Sequence, residues 1–121
     1  MTVHRNYVAG EWRDGATARV NDDPSDLDAP VGVFAEGTAD DVRDAAAAAR
    51  EAAPAWAAVP AGERADLLHA VALELAARRE ELGELLSREE GKTRAEGVAE
   101  VGRAADLFRF YAAEAFRVGG E

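Results

Sequence analysis

The chain has 121 residues, no cysteine, and 24 acidic against 14 basic side chains, for a formal net charge of −10. That length allows one modest domain and is short for a two-substrate enzyme, while the acid excess disfavours nucleic acid and anionic membranes as partners. Without cysteine there is no disulfide framework, thiol nucleophile or thiolate metal site, and no apolar run approaches the roughly 18 residues of a membrane span.

The first 37 residues read as strand and turn, and residues 38–121 read as helix. "NYVAGEW" places two short β-prone pieces around Ala9-Gly10. Alanine resists positive φ and glycine accepts it, so a type II turn with Gly10 at its third position is expected rather than type I′. His4 precedes this hairpin, in a terminus expected to be mobile. A strand near 17–21, an Asp/Pro/Ser turn and a strand near 31–36 follow. So few strands make no independent sheet.

Four helices are expected after Thr38, which caps the first, with Asp40 and Asp41 in its opening turn. Val42, Ala45, Ala46, Ala49, Ala52 and Ala53 form its expected buried stripe, Pro54 its end, and Trp56 a large anchor beyond it. Pro60 and Glu63 open a second helix carrying Leu67, Leu68, Val71, Ala72 and Leu75 at helical spacing. A short third helix holds the leucines near 82–86. The fourth, about 94–117, runs from Thr93 to Gly119-Gly120. Its seam is Val98, Val101, Ala105, Phe108, Ala112 and Ala115. Leu107, Phe110 and Tyr111 widen the apolar surface past one stripe, which calls for more than one neighbour.

The joint between the third and fourth helices, "SREEGKTRAEGVAEV", contains Gly91-Lys92-Thr93 and so imitates the end of a phosphate-binding loop. Such a loop needs G-x-x-x-x-G-K-[ST] after a buried strand. Leu86 stands where the first glycine belongs, and the preceding segment is helical. The joint therefore reads as structural, with Gly91 ending one helix, Thr93 capping the next and Glu96 completing the capping box. Lys92 reads as an exposed residue of that joint.

No catalytic, cofactor-binding or metal-binding residue is assigned. His69 lies mid-helix and alone. Ser25 and Ser87 lack G-x-S-x-G surroundings. The pairs Glu80/Glu81 and Glu89/Glu90 read as solvated faces. Lysine occurs once against thirteen arginines, and about a quarter of the residues are alanine. A GC-rich genome explains those biases but not the acid excess. An acidic, lysine-poor surface suits a very salty cytoplasm, since at 1 M salt the Debye length falls to about 3 Å and self-repulsion is screened. The N-terminus also lacks the apolar core of a signal peptide, which points to the cytoplasm.

Taken in order, these features resemble the N-terminal segment of the aldehyde dehydrogenase superfamily. "NYVAGEW" is similar to that family's "y-I-N-G-x-W", and "DDPSDLDAPVG" to its "N-P-a-t-g-x-x-i-g". "TADDVRDAAAAAREAAPAW" matches "a-x-x-D-V-x-x-A-V-x-A-A-x-x-A-x-x-x-W", and the long stretch through "EEGKTRAEGVAEV" matches the region around E-t-G-K. Ala9 replaces the usual Asn, Asp23 the Asn before Pro24, and Glu90 the Thr of E-T-G-K. The "DDPSDLDAPVGVFA" stretch is similar to the ketoglutarate-semialdehyde type. The resemblance implies a mainly α piece of the α/β aldehyde dehydrogenase fold, with residues 38–121 belonging to a nicotinamide-binding domain whose core is absent. It implies a complete protein that oxidises an aldehyde to a carboxylic acid with NAD or NADP. Its partners would be the aldehyde, the remainder of the subunit and further copies in a homo-oligomer. The family's nucleophilic cysteine and general-base glutamate lie beyond this segment, so the 121-residue chain is expected to be inactive and to bind no cofactor alone. Some members bind a monovalent cation through an acid aligned with Glu100, which reads here as a solvent-facing carboxylate. The alternatives are a stand-alone helical interaction module and a phosphate-loop nucleotide binder dependent on Lys92.

Overall fold

The computed structural model describes Thr2–Arg117, and the Gly119-Gly120 pair lies outside the described residues. The fourth helix already ends at Glu114, short of the expected 117, as the chain tightens into a turn in which the Phe116 amide donates to the Ala113 carbonyl at 3.1 Å. Five short strands precede four helices: β1 (Val3–His4), β2 (Asn6–Val8), β3 (Glu11–Arg13), β4 (Thr17–Asn21), β5 (Gly32–Glu36), α1 (Ala39–Ala58), α2 (Ala61–Ala77), α3 (Arg79–Glu90) and α4 (Arg94–Glu114). They fall into two compact units, Met1–Ala58 and Val59–Glu121.

In the first unit β5 is the central strand of three, antiparallel to β4 and parallel to β1. The β4–β5 connection is closed by the short polar residues expected to turn it. The Ser25 amide donates to Asp23 Oδ1 at 2.9 Å and the Asp26 amide to the Asp23 carbonyl at 3.1 Å. His4 is not in a loose terminus: it pairs with Phe34 across β1–β5 and stacks on its ring, centroids 4.7 Å apart. A two-residue strand with a parallel partner thirty residues away leaves no local pattern to read.

The hairpin turn also differs from expectation. β2 and β3 pair Val8 with Glu11, leaving a two-residue loop in which Ala9 has φ 55° and Gly10 φ 84°. Two positive φ values mark a type I′ turn, whose twist matches the strands, whereas type II would splay them. Strand pairing, with Tyr7 and Trp12 in ring contact across it at 4.9 Å, overrides the alanine's preference.

α1 begins as expected. Thr38 Oγ1 accepts from the Asp41 amide at 3.2 Å, while Asp41 Oδ2 accepts from the Thr38 amide and hydroxyl at 2.7 Å each. These bonds hold the Asp41 carboxyl below its ordinary pKa, the Thr38 amide having the largest effect. Arg13 of β3 donates to Asp44 at 3.2 Å, tying helix to hairpin. Pro54 does not end α1, which continues to Ala58. A proline inside a helix forfeits one backbone bond, and the alanines around it favour helix strongly enough to continue. The expected buried stripe is absent too: no α1 residue is buried, Val42 is 67% exposed, and Trp56 is exposed rather than anchored.

In the second unit Arg78 is both the last cap of α2 and the first of α3. Its amide donates to the Glu74 carbonyl at 3.0 Å and its own carbonyl accepts from the Leu82 amide at 2.9 Å. α4 packs against both α2 and α3. The expected seam of α4 is found, with Val101, Ala105 and Ala112 buried and Val98, Phe108 and Ala115 half-buried. On α2, which packs against α4, the buried residues are Ala65 and Ala72. Against α3 the approach is closer still. A Cβ added to Gly83 would stand 2.6 Å from Val98 Cα, and one added to Gly97 would strike the Gly83 carbonyl oxygen. Both glycines are buried.

Gly97→Ala should therefore cost about 1–3 kcal/mol, the usual penalty for overfilling a packed contact. Gly62→Ala, where an added Cβ meets nothing within 4 Å, should instead gain up to about 1 kcal/mol. Urea midpoints of the two variants should move in opposite directions. Ala9→Asn, which tolerates positive φ, should stabilise the chain by up to about 1 kcal/mol, read as a higher melting temperature.

Candidate functional site

The joint between α3 and α4 is where the sequence comes nearest to a binding motif. Gly91 takes φ 73° and ψ 17°, the left-handed conformation, and its amide returns to the Ser87 carbonyl at 2.9 Å. Thr93 then starts α4 with a full capping box. Its hydroxyl accepts from the Glu96 amide at 3.3 Å, and Glu96 Oε2 accepts from the Thr93 amide at 3.0 Å and hydroxyl at 2.7 Å. Ser87 Oγ donates to the Lys92 carbonyl at 2.6 Å. The bonds from the Thr93 hydroxyl and amide hold the Glu96 carboxyl below the usual carboxylate range.

Lys92 is not the exposed residue expected. Its side chain is 18% exposed, and its ammonium donates to Glu100 at 2.7 Å and pairs with Glu90 at 2.5 Å. Those two carboxylates, Glu100 first, hold it above the ordinary lysine pKa. Glu100 is exposed on its helix, as expected, and also pairs with Lys92. A second clasp lies alongside: Arg94 donates to Glu84 and Glu80 at 2.8 Å each, and Arg79 Nε donates to the Val98 carbonyl at 2.9 Å. A phosphate arriving here would find an ammonium held by two carboxylates and loop amides already bonded. The geometry is that of a tie between two helices.

The other residues weighed from sequence are scattered. His69 lies exposed on α2, beside Asp66 and Arg109 in a shallow depression. Ser25 sits in the Asp23 turn, and Glu81 pairs with Arg78 at 2.6 Å. Among the described residues no group of three or more His, Cys, Asp or Glu could hold a metal, and no helix is long and apolar enough to cross a membrane.

The outer face of α4 is different in kind. Leu107, Phe110 and Tyr111 occupy positions i, i+3 and i+4, one helical face, and are 50%, 56% and 59% exposed. Phe110 meets Tyr111 edge-on at 5.3 Å. Beside them an open pocket of about 310 Å³ is lined by Leu68, Leu107, Phe108 and Tyr111. An exposed apolar cluster of this kind, adjoining the buried seam at Phe108, is chemically fitted to a protein partner.

The depressed Glu96 pKa has a consequence for acid stability. Its contribution is complete above the ordinary carboxylate pKa and is lost as pH falls through the lower value of the folded state. Glu96→Gln should therefore reduce helical stability at pH 7, and the gap from the parent chain should close as pH is taken to 3. Thermal melts followed by circular dichroism at stepped pH measure both.

Comparison with known proteins identifies the whole arrangement. The aldehyde dehydrogenase family model matches residues 12–121. An α-ketoglutarate semialdehyde dehydrogenase of Haloferax volcanii is 35% identical over 118 residues, covering 96% of this chain and 24% of its own length. An α-ketoglutaric semialdehyde dehydrogenase of Bacillus subtilis is 35% identical over 124 residues, covering 100% and 25%. A crystal structure of betaine aldehyde dehydrogenase from Staphylococcus aureus, in complex with NAD+, superposes with a TM-score of 0.92 at 30% identity, over 98% of this chain and 25% of that one. The chain thus spans about a quarter of the length of the relatives it matches, and its helices and strands are an N-terminal piece of their fold. It belongs to the aldehyde dehydrogenase family.

Proposed function

We propose that this chain is the N-terminal portion of an enzyme that oxidises an aldehyde to a carboxylic acid with NAD or NADP. The observation that carries the reading is the family match over residues 12–121. The substrate we favour is a keto-acid semialdehyde, on the support of two relatives bearing that name at 35% identity. In this reading a cysteine thiolate elsewhere in the subunit would attack the carbonyl, bound nicotinamide would supply the hydride acceptor that turns the thiohemiacetal into a thioester, and a glutamate-activated water would then hydrolyse that thioester. This chain has no cysteine, and its glycine-lysine joint gives a pyrophosphate no seat. Its own contribution is architectural: residues 38–121 form the helical edge of the nicotinamide-binding domain. The remainder of the subunit covers Leu107, Phe110 and Tyr111, and the complete protein works as a homo-oligomer in a salt-rich cytoplasm.

A chimera tests this. With the chain replacing the corresponding segment of the Haloferax volcanii relative, α-ketoglutarate semialdehyde should be oxidised with reduction of NAD or NADP. The chain alone should produce neither NADH nor NADPH. Phe110→Glu should remove most active chimera while shifting the isolated chain by less than about 0.5 kcal/mol, as for an exposed site. An inactive parent chimera would count against the family role. An active one indifferent to Phe110→Glu would leave that role standing and favour the helical face as a module with a different partner.

Net charge −10 on so small a chain supports the salt-rich setting, because unscreened acids repel one another. Helical circular dichroism should rise between low salt and molar KCl. A flat response would leave codon bias as the source of the arginine and alanine excess.

A further inference from the structure

We draw no further inference here: the strongest candidate, the exposed apolar face of α4 around Leu107, Phe110 and Tyr111 with the adjoining Leu68 pocket, belongs to the surface already assigned to the rest of the subunit, and nothing in the structure shows another occupant.

Discussion

Backbone meets backbone where Gly83 of α3 faces Gly97 of α4, and the helical unit is organised around that approach. Neither position has room for a methyl group. Helices brought this near gain many weak dispersion contacts along their length. The same economy of size recurs where α4 packs against α2, whose buried residues are Ala65 and Ala72 beside Ala105 and Ala112 of α4. Among the described residues no large side chain is fully buried. Tight geometry here takes the place of bulk.

That choice has an electrostatic counterpart. A core of small residues removes little apolar area from water, and stabilisation by burial scales with that area. The surface carries a large excess of acid, so much depends on how the few cations are spent. Lys92 and Arg94 each bridge two carboxylates, Arg94 reaching back to Glu80 and Glu84 in the first half of α3, and together they tie α3 to the first half of α4. Individually, exposed pairs contribute little. Placed at one joint beside a left-handed glycine and a capping box, they act on the same hinge as the glycine crossing.

What the sequence disclosed follows the range of each interaction. Thr38, Thr93, Glu96 and Gly91 were legible because caps act within a few residues. The α4 seam was legible because helical spacing alone orders it. The turn at Ala9-Gly10 was not, since strand pairing across the hairpin decides it. The stripe on α1 misled because a run of alanines reads as an apolar face whether or not anything covers it. Lys92 misled for the opposite reason: Glu100 reaches it only after the joint has folded the chain back. No catalytic group could be named because the chain holds no thiol, and its one phosphate-like motif is consumed by structure.

The pairing of Lys92 gives the chain an unusual chemical profile. It is the only side-chain amine in 121 residues, and acylating reagents attack the unprotonated amine. Two carboxylates keep this one protonated beyond the ordinary lysine range and leave little of it exposed. Chemistry aimed at side-chain amines has a single address here, and the two carboxylates slow it there by favouring the protonated form. A label placed on a side-chain amine therefore reports on the joint between α3 and α4, against a background free of any other lysine.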